Sequence, residues 1–263
     1  MTISLCDWAV EILSTAAPSD KVAKTGIAAA AWRAGALPVG SAVPPQQPAR
    51  PAKPELCDPR NMPKRSAGPK GRVALVHAIA HIELSAIDLA WDIIARFTAA
   101  DLPRGYYDDW VDVAVEESQH YAALAARLTE LGAAYGDLPA HAGLWDAAER
   151  SARDLATRLV AIPLTLEARG LDTTPQISTR LRLSGDEATA AILDVIYADE
   201  IKHLAVGVRW FEFLCAREKR APIATYHAIM AEQFPKGLKG PFNMPARTQA
   251  GMGEDYLKPW IAA

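Results

Sequence analysis

Cysteine is scarce in this chain of 263 residues. Only Cys6, Cys57 and Cys215 occur, far apart and without a CxxC pair. That spacing speaks against a disulfide scaffold and against a thiolate zinc site. Basic charge is not in excess. Lys and Arg number 28 against 31 Asp and Glu, a formal net charge of −3, which excludes a generally basic nucleic-acid binder. Uninterrupted apolar runs stay short of the roughly 18 residues of a membrane span, so no membrane partner is expected. The opening MTISLCDWAVEIL has two acids and no Lys or Arg. It lacks the positive start of a secretory signal, and a cytoplasmic location is expected. Strand-like alternation is missing as well. What is present is a globular balance: 50% of residues are hydrophobic and 22% charged, which argues against whole-chain disorder.

The charge is unevenly spread. Residues 47–72 hold seven bases and two acids, residues 73–216 hold 11 bases and 22 acids, and residues 217–263 hold seven bases and four acids. Basic flanks around an acidic body predict mutual pairing. The competing reading is that the flanks hold an anionic substrate or RNA, but neither flank shows a dense Lys/Arg block.

Residues 3–15 and about 20–34 read as short helices, the second built on AAAAW. Between Leu37 and Pro69 fall nine of the 19 prolines. Proline removes a backbone donor and restricts its predecessor, so this stretch is extended, and Leu56, Cys57 and Met62 favour a surface strap over a free linker. Four long helices follow. The first runs from Gly71 to about Ala99, and its dense apolar residues predict burial. The second runs from Pro103 or Arg104 to Leu131 with Gly132 as its stop, the third over about 143–170. The fourth runs from a Ser184–Glu187 capping box to about Arg217. A shorter helix spans Pro222 to about Gln233, and the tail after Pro235 reads as irregular. The expected organisation is N-terminal helices and strap over 1–70, a four-helix bundle over 71–217, and a C-terminal helix and tail over 218–263, packed on the bundle.

Four glutamates and two histidines stand out on the long helices. Glu83 lies on the first, Glu117 and His120 on the second, Glu167 on the third, and Glu200 and His203 on the fourth. Residues i and i+3 share a helix face, so each Glu-x-x-His aims both side chains at one point. With 14 Glu and six His in the chain, chance predicts about 0.3 such pairs. There are two, and the spacing is duplicated. Glu83 precedes Glu117 by 34 residues and Glu167 precedes Glu200 by 33. Four buried carboxylates would repel one another unless divalent ions neutralise them. Oxygen-rich ligands with two imidazoles suit iron or manganese. Glu116 and Asp199, each directly before a ligand glutamate, are candidate acceptors for the metal histidines. Tyr121 and Tyr197, one turn from Glu117 and Glu200, are candidate partners of the ligands or redox groups. His77 and His81 point off the Glu83 face and read as packing residues. Pro163, four residues before Glu167, predicts a kink or bulge.

These motifs resemble the ferritin-like di-iron carboxylate superfamily. HAIAHIELSAIDLAWD, DEIKHLAVG and the tail GPFNMPARTQAG look like an uncharacterised bacterial ferritin-like family that carries a domain-of-unknown-function label. The resemblance covers roughly residues 50–253. It implies a ferritin-like four-helix bundle with two iron ions, or a manganese–iron pair, held by Glu83, Glu117, His120, Glu167, Glu200 and His203. Glu117 and Glu200 are the expected bridging, catalytic carboxylates. The superfamily includes ferroxidases, peroxidases, desaturases, radical subunits and a tRNA hydroxylase, so the reaction stays open. The leading expectation is an O₂-activating oxidoreductase or hydroxylase served by an external electron donor. Its substrate would be a small molecule or RNA, with Lys236, Lys239 and Arg247 as candidate contacts to an anionic one. A ferroxidase and a non-catalytic metal-stabilised binding module are the alternatives. The N-terminal extension argues against a storage cage, and the lack of paired cysteines argues against a built-in rubredoxin-type site. Trp210 and Phe211 are candidates for the underside of the fifth helix or a homodimer seam.

Overall fold

The computed structural model describes residues 3–65 and 68–261. Among them the structure is all-helical, with no strand. The chain forms two compact units, one ending at Glu149 and the other beginning at Arg150.

The first unit holds α1 (Leu5–Leu13), α2 (Pro18–Arg33), α3 (Pro69–Arg96), α4 (Arg104–Glu130) and most of α5 (Gly143–Arg150). Ser4 starts α1 with a capping box, its hydroxyl accepting from Asp7 N–H while Asp7 accepts from Ser4 N–H at 2.9 Å. Pro69 sits in the first turn of α3, where its missing N–H costs nothing. Gly132 ends α4 at φ 76°, a left-handed conformation that strains other residues. The α3 helix packs along α4, with α1 against α3 and α2 against α4. Ile87, Trp91, Ile94, Tyr106, Leu124 and Leu128 fill the interior. An 18-residue window of α3 has mean hydropathy 1.6, so by length and composition this helix could cross a membrane, although polar residues interrupt its apolar runs. Burial explains that apolarity instead, since 72% of the window is buried within the protein.

The Pro-rich stretch is a strap tied down by hydrogen bonds. Leu5 N–H donates to Pro38 O at 2.8 Å and Ala49 N–H to Leu13 O at 2.7 Å. Further on, Cys57 N–H donates to Ala140 O at 2.8 Å, and Ala140 N–H to Glu55 O at 2.9 Å. Proline leaves the strap's carbonyls free for side chains, and Arg96 Nη2 donates to Pro45 O at 3.0 Å.

The second unit contains α6 (Leu155–Ala161), a π-helical turn (Ile162–Glu167), α7 (Arg169–Leu183), α8 (Glu187–Arg217), α9 (Pro222–Gln233), α10 (Met244–Gln249) and α11 (Glu254–Ile261). The single helix expected over about 143–170 is therefore broken. Asp154 restarts it as an N-cap, accepting from Thr157 N–H at 2.7 Å, a role aspartate fills better than a mid-helix position. Helicity then continues through Gly170 and Pro175 to Leu183. The expected Ser184–Glu187 box is not formed. Gly185 turns left-handed, Asp186 N–H closes α7 onto Leu181 O, and Asp186 becomes the cap of α8 by accepting from Thr189 N–H at 3.0 Å. The tail carries α10 and α11 rather than being irregular. Trp210 and Phe211 are buried, so neither is an exposed seam.

Candidate metal centre

In the first unit, Glu83 on α3 meets Glu117 and His120 on α4. All three are buried. Each offers a ligand atom within 4.8 Å of the others. His120 Nδ1 lies 3.1 Å from Glu83 Oε2 and 3.4 Å from Glu117 Oε2. The i,i+3 spacing puts the two α4 groups on one face, and the packing of α3 along α4 brings in Glu83. Burial pushes the Glu83 carboxyl well above the usual carboxylate range, and the charge of Glu117 adds to this. Burial by itself would lower His120, but its hydrogen bonds to Glu117 and Glu83 and their charges outweigh that and raise it.

In the second unit, Glu200 and His203 share the buried face of α8, with His203 Nδ1 3.9 Å from Glu200 Oε2. Glu167 is the last residue of the π turn and is half-buried. The bulge expected at Pro163 is this turn. Pro163 has no N–H, and the ladder shifts to a five-residue step in which Ala168 N–H donates to Pro163 O at 3.3 Å. Gly207 on α8 accommodates it: a Cβ there would stand 2.8 Å from both Leu164 Cδ1 and Pro163 Cβ. The small residue serves close helix approach.

The neighbouring residues take varied places. Tyr121 is buried, with its ring edge against Tyr135 at 5.4 Å between centroids, and burial raises its hydroxyl to about 12. Glu116 is half-buried on α4. Asp199 pairs with Lys202 at 2.6 Å, one turn along α8. Tyr197 is turned to the tail, its hydroxyl accepting from Asn243 Nδ2 at 3.0 Å. His77 and His81 anchor the loop after α4. Gly136 N–H donates to His77 Nε2 at 3.0 Å, and Tyr135 OH lies 2.8 Å from His81 Nδ1.

Arg247 corrects its expected role. It is fully buried, and it binds Asp172 through Nε at 2.9 Å and Nη2 at 2.7 Å, with Nη2 also 3.1 Å from Ala168 O. A residue so enclosed fixes the tail onto α7 and is not available to a substrate. Asp172, the anchor of this clamp, was not anticipated; no local pattern links it to a partner 75 residues later.

A family described as "Protein of unknown function (DUF455)" matches residues 14–258. An uncharacterized protein of Haemophilus influenzae is 39% identical over 217 residues, which is 80% of this chain and 75% of the relative. No solved structure matches.

Proposed function

Because the chain belongs to the DUF455 family, whose description assigns no chemistry, we propose its activity from the side chains themselves: a ferritin-like dimetal carboxylate oxidoreductase. Glu83, Glu117 and His120 supply one half of the ligand set. Glu167, Glu200 and His203 would supply the other, with Glu117 and Glu200 as the proposed catalytic carboxylates. The observation that carries this reading is the convergence of Glu83, Glu117 and His120 in a buried cluster.

The donor set fits a metal. Two carboxylates beside one another, 3% and 1% exposed, are costly without a cation between them. The His120 imidazole lies within hydrogen-bond distance of both carboxylates, so its nitrogen and their oxygens converge as one donor set. Carboxylate oxygens with imidazole nitrogen favour iron or manganese over thiophilic metals. The π turn leading to Glu167 is a further support, since such bulges recur at functional sites. These residues would hold two irons, which when bound would supply redox chemistry towards O₂ with an external electron donor. The chain's own residues have three tasks. The glutamates would neutralise the ions, the apolar packing of α3 excludes water, and the two Glu-x-x-His faces would fix the imidazoles.

The test is metal stoichiometry after anaerobic iron loading, followed by absorbance on O₂ addition, for the wild type and Glu117→Ala. The expected result is about two irons per chain and a new absorbance band, both lost in the variant. Absence of bound iron, or binding indifferent to Glu117, defeats the proposal.

A further inference from the structure

We propose that the groove beside the start of α3 binds a soluble organic phosphate with an aliphatic body. This site lies wholly within the first unit and does not depend on the metal reading.

Several cations outside the end of the strap are paired with carboxylates of the acidic body. Lys21 pairs with Asp88, Arg33 Nη2 lies 2.5 Å from Asp112 Oδ1, and Arg247 is locked onto Asp172. The end of the strap differs. Lys64 and Lys70 are exposed, and among the described residues neither is ion-paired. Together with Arg72 they line an open groove of about 620 Å³. Its walls include Val73, Leu131 and Leu138. Among the described residues no Asp or Glu lines it.

Each feature selects a ligand property. Two exposed lysines, with no carboxylate among the described lining residues, select a multiply charged anion, and lysine is a common phosphate binder. Aliphatic walls select a ligand with apolar surface to bury. Among the described residues no aromatic side chain lines the groove, so they offer no stacking platform for a nucleobase, which disfavours single-stranded RNA as the occupant. The volume falls within the range of about 300–1,000 Å³ typical of small-molecule sites.

The full-length protein would be titrated calorimetrically with decyl phosphate below its micelle concentration, and with inorganic pyrophosphate and decanol as head-only and tail-only probes. Decyl phosphate is expected to bind at least about tenfold more tightly than either. The Lys64→Glu/Lys70→Glu variant should lose about tenfold or more in decyl phosphate affinity, whereas Lys236→Glu/Lys239→Glu should not change it. Leu138→Asn, on the apolar wall, should weaken decyl phosphate and leave pyrophosphate unaffected. Circular dichroism and urea midpoints establish that each variant is folded. Equal binding by wild type and Lys64→Glu/Lys70→Glu overturns the proposal, as does the lack of any advantage for decyl phosphate over pyrophosphate. Association with phosphatidylglycerol vesicles or a short RNA, without binding of monomeric decyl phosphate, assigns the cations to another partner and overturns it too.

Discussion

Asn243 in the tail donates its side-chain amide to the Leu171 carbonyl at 3.0 Å, filling the place of the helix donor that Pro175 lacks. A regular helix would bond Leu171 O to the N–H at position 175, and proline has none. The interior proline of α7 is therefore matched by a residue 68 positions further along the chain. Asn243→Ala should destabilise the protein by about 1–3 kcal/mol, the cost of a stranded buried acceptor. Pro175→Ala should recover part of that loss by restoring the backbone donor. A double-mutant cycle in urea checks this; additive effects would show that the two residues are not coupled.

The Lys21–Asp88 pair is buried on both sides, each side chain 2% exposed. Burial raises the Asp88 carboxyl even though Lys21 lowers it. Removing one partner leaves an uncompensated charge. Lys21→Met should cost about 3–5 kcal/mol, whereas Lys21→Met/Asp88→Leu should return most of it. Equal losses in the single and double variants would disprove the pairing argument.

Glu83 sits beside Glu117 at a cost in the metal-free protein, which its upward shift by burial and by the Glu117 charge expresses. Glu83→Gln removes that cost and keeps the shape. Metal-free Glu83→Gln should be at least as stable as metal-free wild type, but it should lose much of the rise in Tm that iron confers. Thermal melts with and without chelator decide it. A variant that is less stable without metal and unchanged in its iron response would contradict the assignment.

His77 accepts a hydrogen bond from Gly136 N–H and must be neutral to do so. Burial lowers it from the usual value of 6.5, against an opposing effect of Asp137. A group lowered in the folded state binds its proton more readily when unfolded. Its stabilising contribution is complete above pH 6.5 and is lost as the pH falls through the folded value. Unfolding free energy measured between neutral and mildly acidic pH should thus fall, and His77→Gln should make that slope shallower. An unchanged slope would mean that His77 contributes no pH dependence.

Parts of this arrangement are legible in the chain because they are local. Pro222 and Gln233 mark α9 at both ends, as read from the sequence. Pro163 announces the π turn because a missing N–H has to be accommodated within one turn. Glu117 and His120 share a face because three residues nearly complete a helical turn. Helix breakers mislead where distant groups compensate them. Gly170 and Pro175 lie inside α7 instead of ending it, with Asn243 satisfying the carbonyl that Pro175 leaves open.

The sequence alone determined the all-helical class, the Pro-rich strap and the paired Glu-x-x-His faces, since composition and short-range periodicity encode them. Tertiary structure decided which partners those residues meet. It set Glu83 against His120 across two packed helices, buried Arg247 on Asp172, and left Lys64 and Lys70 on an open groove. Such pairings depend on how separated segments pack, and a charged side chain carries no local mark of whether its counter-charge will be another residue or solvent.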